Sequence, residues 1–238
     1  MHLFGQTRGT RYPDHLLQTP DTFVRAPLPG MTGATAIVHA APALGAKFTQ
    51  YTAEFEPGGT LGPTEAQRFV YVLEGQLTIG ADALKPGDYV WLPPAAHAAI
   101  RALTSSRAAV IEKPYIALTG LACPAMVRGS ETKVAPTPLL GDADVEVRSL
   151  IPSDPAFDLA VNTMTFQPGA TLPMVEIHVM EHGLLMLDGN GIYRLGEHWY
   201  PVEGGDFIWM APYLPQWFGA LGKKPARYLI YKDWNRLP

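Results

Sequence analysis

Short runs of alternating apolar and polar residues, separated by turns rich in glycine and proline, recur along the chain. A period of two is typical of strands, because successive side chains of a strand point to opposite faces of a sheet. In the first half these runs predict strands at residues 36–39, 48–55, 69–73, 76–79, 89–92 and 108–112. Short strands at a spacing of roughly 8–12 residues are typical of sandwiches and barrels. The pattern therefore predicts an all-β protein.

The same short sequences occur in both halves of the chain. Three short sequences of the first half end at residues 58, 75 and 91: Phe-Glu-Pro-Gly, Val-Leu-Glu-Gly and Pro-Gly-Asp-Tyr-Val-Trp. Their counterparts in the second half end at residues 169, 189 and 209, in the same order: Phe-Gln-Pro-Gly, Met-Leu-Asp-Gly and Gly-Gly-Asp-Phe-Ile-Trp. An internal repeat of this kind indicates two copies of one structural unit. We therefore predict two small barrels in tandem.

The positions of proline, glycine and alanine suggest boundaries for these barrels. Prolines interrupt residues 1–35, which we expect to form an N-terminal arm that wraps over a neighbouring surface. The first barrel is predicted at 36–120, a linker rich in Gly, Pro and Ala at 121–145, and the second barrel at 146–238.

Composition narrows the class of protein. Of the 238 residues 47% are hydrophobic, which is enough for a sizeable core, and only 17% are charged. The formal net charge of −4 gives no reason to expect nucleic acid or a membrane as partner. One cysteine, Cys123, excludes an intrachain disulfide, and the N-terminal sequence has no apolar signal-peptide region. We therefore expect a cytoplasmic protein.

Potential metal ligands are most closely spaced in one short run of the sequence, which contains Glu176, His178 and His182. Valine and isoleucine alternate through residues 175–179 and favour a strand, which would place Glu176 and His178 on one face. The sequence Asp-Gly-Asn-Gly at 188–191 predicts a hairpin turn after the following apolar run.

The same run also matches the inverted zinc-protease motif H-x-x-E-H, through His178, Glu181 and His182. That motif needs a helix so that both histidines share a face. Pro173 and Gly183 bound the segment and disfavour a continuous helix. The strand-and-loop interpretation is therefore preferred.

These motifs carry a resemblance to a known superfamily. Gly169, Glu176, His178, His182 and Gly189 resemble the first cupin motif, and residues 205–216 resemble the second. The ligand positions differ from the common cupin pattern, since Glu replaces the first His, His replaces the Glu, and Gln216 replaces the last His. This permutation is similar to that of the bicupin (S)-ureidoglycine aminohydrolases, as are the E-x-H-x-x-E-H-G run and the terminal Tyr-x3-Lys-Asp-x-Asn-Arg at 228–236.

The resemblance implies an all-β bicupin, two tandem cupin barrels of the double-stranded β-helix or jelly-roll type. It also implies a metal site formed by Glu176, His178, His182 and Gln216. Two imidazoles, a carboxylate and an amide oxygen suit Mn(II), Fe(II) or Ni(II), whereas Zn prefers four tight N/S ligands. Among these the family implies Mn2+, with one ion per chain.

The resemblance further implies that Tyr193, Tyr228 and Lys232 bind substrate. Tyr228 and Lys232 are four residues apart, so they share a face of a regular strand. A lysine inside a barrel would have a lowered pKa and could move protons near neutral pH. Lys232 and Glu176 are both candidates for the catalytic proton-transfer group, and the sequence does not choose between them.

The first barrel lacks the corresponding metal-binding residues. Aligning the repeats places Gly62, Thr64 and Arg68 opposite the three C-terminal ligands and Ala98 opposite Gln216. His97 lies one residue away from the position of the fourth ligand, where a structural role is the commoner outcome. We expect the first barrel to hold no metal and to serve packing and assembly.

The function implied by the resemblance is release of ammonia from (S)-ureidoglycine to give (S)-ureidoglycolate, in the purine and allantoin breakdown pathway. The expected partners are a small anionic ureido substrate and further copies of the chain in a homo-oligomer. Two alternatives remain: a cupin dioxygenase that uses Fe or Mn, and a non-catalytic bicupin that binds a sugar or a small acid. Cupins host many activities, so the fold alone does not decide.

Overall fold

The structure is a computed structural model, and it describes residues 7–236. Residues 1–6 of the predicted arm and residues 237–238 lie outside the described residues. Within the described part of the chain, no helix is long and apolar enough to cross a membrane.

Nearly all regular structure consists of strands. In chain order they are β1 (Thr10–Arg11), β2 (His15–Gln18), β3 (Arg25–Ala26), β4 (Met31–Ala40), β5 (Thr49–Leu61), β6 (Gln67–Glu74), β7 (Leu77–Ile79), β8 (Asp82–Leu84), β9 (Asp88–Leu92), β10 (Ile100–Ala102), β11 (Ser106–Lys113), β12 (Val127–Ser130), β13 (Thr137–Leu139), β14 (Asp142–Ser149), β15 (Leu159–Phe166), β16 (His182–Asp188), β17 (Asn190–Leu195), β18 (His198–Glu203), β19 (Phe207–Met210), β20 (Gln216–Leu221) and β21 (Ala226–Asp233). Three short 3-10 helices lie at Pro20–Thr22, Pro42–Leu44 and Glu131–Lys133.

The chain divides into two compact units, each with its own apolar core. One contains residues 24–134 and 150–158, and the other contains the described residues of 1–23 together with 135–149 and 159–236. The predicted linker at 121–145 is thus shared between the units, and it contains β12 and β13. The predicted arm is shared as well, because β2 pairs with β19 of the C-terminal unit, whereas β3 pairs with β4 of the N-terminal unit.

The N-terminal unit is built on an antiparallel sheet in which β12, β9, β6, β11, β5, β10, β7 and β8 are successive neighbours, with β3 and β4 continuing from β5. The six strands predicted in this half fall on β4, β5, β6, β7, β9 and β11. Residues that alternate along these strands, such as Tyr51, Ala53 and Phe55, face the core. This alternation is the period-two pattern read from the sequence.

The C-terminal unit has two sheets. The larger has the order β1-β2-β19-β16-β21-β15-β14-β13, and the smaller has the order β18-β17-β20. Leu184 and Met186 of β16, Ile230 of β21 and Phe218 of β20 pack into one core between them. The architecture agrees with the predicted all-β bicupin fold.

Two local predictions near the ligand run were wrong. Residues 173–181 form an irregular loop rather than a strand, because only Glu176 pairs with another strand residue there, as an isolated bridge. The Asp-Gly-Asn-Gly sequence does not form a hairpin: β16 pairs with β19 and β21, whereas β17 pairs with β18 and β20. The turn instead passes the chain from one sheet to the other.

A repeated glycine makes this passage possible. Gly189 has φ of 72°, and its counterpart Gly75 has φ of 77°. A Cβ at Gly189 would lie 2.5 Å from the carbonyl oxygen of Pro225, and one at Gly75 would lie 2.3 Å from that of Ser105. Both turns therefore require glycine for conformation and for space.

An ion pair occupies the corresponding ligand position of the first barrel. Arg68 pairs across the strands with Glu112, as His182 pairs with Lys232 in the second barrel. The Arg68 guanidinium lies 2.6 Å from the Glu112 carboxylate and also donates to the carbonyl of Gly62. Thus a fixed side-chain cation lies where the second barrel has a histidine.

Candidate functional site

The seven residues singled out in the sequence line one cavity of the C-terminal unit. Its volume is about 160 Å³. The polar lining consists of Glu176, His178, His182, Tyr193, Gln216, Tyr228 and Lys232. The structure therefore brings together side chains from the irregular loop and from four strands.

Glu176 and Gln216 are aligned by their backbones. The amide of Glu176 donates to the carbonyl of Gln216 at 2.8 Å, and the amide of Gln216 donates to the carbonyl of Glu176 at 2.9 Å. Residues directly opposite in an antiparallel pair project to the same face. This bridge brings the first and second cupin motifs together at the cavity.

Further hydrogen bonds hold the loop and the residue before it to the residues on either side of Gln216. The indole of Trp217 donates to the carbonyl of Leu172 at 2.8 Å, and the amide of Tyr213 donates to the carbonyl of His178 at 2.6 Å. These bonds satisfy backbone groups that no regular strand pairs, so the loop keeps a defined shape without being a strand.

The two histidines differ in their surroundings. Nε2 of His178 lies 3.1 Å from Oε2 of Glu176, and its side chain is 30% exposed. His182 is buried, and within residues 7–236 neither of its ring nitrogens has a hydrogen-bond partner. Burial, followed by the charges of Lys232 and His178, holds the pKa of His182 well below its usual range. His182 is therefore neutral, with a nitrogen available as a ligand.

Lys232 lies on β21, directly opposite His182 on β16. Tyr228, Ile230 and Lys232 alternate along this strand and all line the cavity, so the predicted shared face is confirmed. Burial lowers the pKa of the Lys232 amine, while the charge of Glu176 acts in the opposite direction. The amine is thus easier to deprotonate than an exposed lysine.

The two tyrosines are buried side chains of the same cavity with different partners. The hydroxyl of Tyr193 donates to Oε1 of Gln216 at 2.9 Å. The hydroxyl of Tyr228 lies 3.3 Å from Sδ of Met164. Burial raises the pKa of both hydroxyls, and nearby charge adds to the effect, so both stay protonated.

Glu181, the acidic residue of the H-x-x-E-H match, does not line the cavity. Its carboxylate accepts a hydrogen bond from the Trp209 indole at 3.2 Å, and the segment is a loop rather than a helix. The arrangement that an inverted zinc protease requires is therefore not formed by this run.

The residues present fit a divalent metal ion. Two imidazoles, a carboxylate and an amide converge on the cavity, and His182 has buried nitrogens without partners. In the described residues no group of three His, Cys, Asp or Glu side chains stands at ligand geometry. Glu176 and His178 contact each other directly, at 3.1 Å.

Sequence reasoning missed the apolar wall of the cavity. It is formed by Leu139, Val147, Met164, Leu172 and Ile230. Leu139 was placed in the predicted linker, yet it lies on β13 at the end of the larger sheet. The alternation of Val145 and Val147 along β14 was the available signal for this additional hairpin.

His97, which lies one residue from the position of the fourth ligand in the first barrel, does not face the interior of that barrel. His97 is exposed, and Ala98 packs against the N-terminal core. His97 therefore points away from the interior of its barrel.

Comparison with known proteins agrees with the fold. Residues 162–231 match the Cupin domain family, and residues 43–115 match the EutQ-like cupin domain family. The chain is similar to protein Ylba of Escherichia coli, with 28% identity, a TM-score of 0.85 and coverage of 97% of this chain and 95% of that one. It shares its fold with Bacillus subtilis oxalate decarboxylase, at 10% identity, a TM-score of 0.72 and coverage of 98% and 81%.

Two relatives carry a common name. The (S)-ureidoglycine aminohydrolase of Arabidopsis thaliana is 40% identical over 98% of this chain and 80% of its own length. The (S)-ureidoglycine aminohydrolase of Escherichia coli is 31% identical over 95% of this chain and 90% of its own. The chain, a bicupin, belongs to the (S)-ureidoglycine aminohydrolase family.

Proposed function

We propose that the protein is a metal-dependent hydrolase that converts (S)-ureidoglycine and water to (S)-ureidoglycolate and ammonia. The observation that carries this proposal is the convergence of four candidate ligands, two tyrosines and a lysine on one small cavity. The relatives at 40% and 31% identity are named for this reaction. In the reaction the bond from the substrate's Cα to its amine breaks, and a bond from Cα to a water-derived oxygen forms.

Glu176, His178, His182 and Gln216 are the proposed ligands, and Mn2+ is the proposed ion, with one per chain. A mixed set of nitrogen and oxygen donors without thiolate suits this ion. When bound, the ion supplies a positive centre that orients the substrate's carboxylate and ureido oxygens and stabilises negative charge on them.

Ion binding would change the contact between Glu176 and His178. Nε2 of His178 lies 3.1 Å from Oε2 of Glu176, and a proton on that nitrogen would have to leave it before the nitrogen could bind the ion. Ligation by both residues would replace this direct contact. His182, already neutral and unpaired in the described chain, needs no such change.

Lys232 is the proposed proton-transfer group, with Glu176 as the alternative. The lowered pKa of Lys232 lets the amine deliver a proton to the departing ammonia and regain one from water. Its position opposite His182, on the lining of the cavity, supports this role. A substrate held at two oxygens would present one face of its stereocentre to this amine, which gives enantioselectivity.

The test is to supply freshly generated ureidoglycine to protein of known metal content and to follow ammonia and dissolved oxygen together. Ammonia release without oxygen uptake supports the hydrolase. Oxygen uptake would indicate dioxygenase chemistry, and absence of both at saturating substrate would indicate a binding protein.

A further inference from the structure

The fourth candidate ligand poses a problem of orientation. A glutamine amide is an acceptor at its oxygen and a donor at its nitrogen, and a half-turn about the last side-chain bond exchanges the two. Only the oxygen can bind a cation, because the amide nitrogen has no free lone pair. A glutamate at position 216 would be free of this problem, because both of its side-chain oxygens are acceptors.

The surroundings of Gln216 hold its amide in one orientation. Gln216 is 3% exposed and Tyr193 is 1% exposed, so water has little access to either group. The Tyr193 hydroxyl donates to Oε1 of Gln216 at 2.9 Å. An amide oxygen has two lone pairs, so accepting this bond leaves one for a further partner.

Tyr193 is itself fixed. It lies on β17 directly opposite Phe218 of β20, and the two rings pack with centroids 5.5 Å apart. The backbone of Gln216 is fixed independently by its two hydrogen bonds with Glu176. Both partners of the hydroxyl–amide bond are therefore held by separate structural elements.

We infer that Tyr193 is a positioning residue, whose hydroxyl selects the amide orientation in which Oε1 of Gln216 faces the metal site. The inference rests on the proposed metal site and adds to it a determinant of metal affinity. Without the hydroxyl, the amide turns between two orientations, and one of them presents N–H groups to the cation.

The test is titration of metal-free protein with Mn2+, followed by the electron paramagnetic resonance signal of the free ion. Loss of a group that orients a metal ligand typically weakens binding about 10–100-fold, so Tyr193→Phe should bind Mn2+ at least about 10-fold more weakly. Tyr228→Phe is the matched control, because that hydroxyl contacts Met164 instead of a ligand. It should change Mn2+ affinity by less than about 3-fold.

A second experiment, in the Gln216→Glu variant, separates loss of the amide orientation from simple loss of packing. In Gln216→Glu both side-chain oxygens are acceptors, so no orientation needs to be selected. Adding Tyr193→Phe there should change Mn2+ affinity by less than about 3-fold, which makes the two substitutions non-additive. Equal weakening in both backgrounds would assign Tyr193 a structural role only and overturn the inference.

Two further results distinguish the inference from the function on which it rests. If Tyr193→Phe binds Mn2+ as tightly as the wild type, the inference is wrong, and ammonia release by the wild type would leave the proposed function standing. If the wild type binds no divalent ion, both the inference and the metal-dependent function are wrong.

Discussion

Glu176 and Gln216 exchange both backbone hydrogen bonds, at 2.8 and 2.9 Å, although they belong to separate sequence motifs. The backbone pairing itself directs both side chains, the carboxylate and the amide, into one cavity. Loop residues that lack regular strand pairing gain a fixed position from this bridge. The first and last ligands of the proposed site are therefore organised by the fold itself.

The first prediction concerns metal content. Purified protein should contain about one divalent ion per chain, because Arg68 already provides a cation at the corresponding position of the first barrel and is held there by Glu112. His182→Ala should lose the ion. Inductively coupled plasma mass spectrometry of both proteins checks this, and two ions per wild-type chain would contradict the assignment of an ion-free first barrel.

A second prediction concerns the choice of an amide as ligand. Gln216→His should bind the ion more tightly and shift the preference towards softer metals such as Zn, because imidazole is the stronger donor. Turnover should fall, since the ion then interacts less with substrate oxygens. Competition between Mn2+ and Zn2+ measures the preference. Unchanged selectivity together with full activity would place Gln216 outside the ligand set.

The third prediction separates proton transfer from binding at Lys232. Lys232→Met preserves approximate volume and should lower turnover by at least about 100-fold, since general acid–base help is typically worth about 10²–10⁴-fold. Lys232→Arg keeps the charge but does not readily release a proton, so it should restore substrate binding without restoring turnover. Steady-state kinetics of both variants provides the measurement.

Lys224→Met is a suitable control for these variants, because Lys224 is exposed and lies before the same strand. It should leave both kinetic constants near their wild-type values. A Lys232→Met protein with normal turnover and normal affinity would remove Lys232 from the mechanism and leave Glu176 as the candidate.

A fourth prediction concerns stability and pH in the N-terminal unit. His39 is buried with Nε2 2.8 Å from the Thr52 hydroxyl, and burial, followed by the charge of Arg107, lowers its pKa from 6.5 to about 3. Above pH 6.5 neither folded nor unfolded chains protonate this group. Between 6.5 and about 3 only the unfolded chain does, so His39 makes stability fall as pH falls, by about 1.4 kcal/mol per pH unit.

His39→Gln removes this titration while keeping a group that can bond to Thr52. The wild type should lose roughly 2 kcal/mol more unfolding free energy than the variant between about pH 7.5 and about pH 5. Urea denaturation at the two pH values measures the difference. Parallel losses in both proteins would show that His39 is protonated in the folded state.

The sequence was sufficient for the fold, which follows from periodicity and repeated motifs, and the resemblance to a known family supplied the side chains that converge. It was insufficient where pairing partners decide local structure. Residues 175–179 have strand propensity, yet they form a loop because only Glu176 among them forms a β-bridge. The turn after Leu187 joins two sheets, although its residues are those of a hairpin.

Long-range contacts also explain what was missed in the site. The hydrogen bond from Tyr193 to Gln216 depends on the register between β17 and β20, which no local pattern specifies. The contribution of Leu139 depends on β13 adding to the edge of the larger sheet through β14. Such relationships come from tertiary structure and could not be read along the chain.

The most direct test of the central claim is the yield of products from freshly generated (S)-ureidoglycine by protein reconstituted with Mn2+. We predict equimolar (S)-ureidoglycolate and ammonia, formed well above the uncatalysed rate, with His182→Ala reduced to the rate of a blank. A metal-loaded wild-type protein that forms ammonia no faster than the blank would contradict the proposed function.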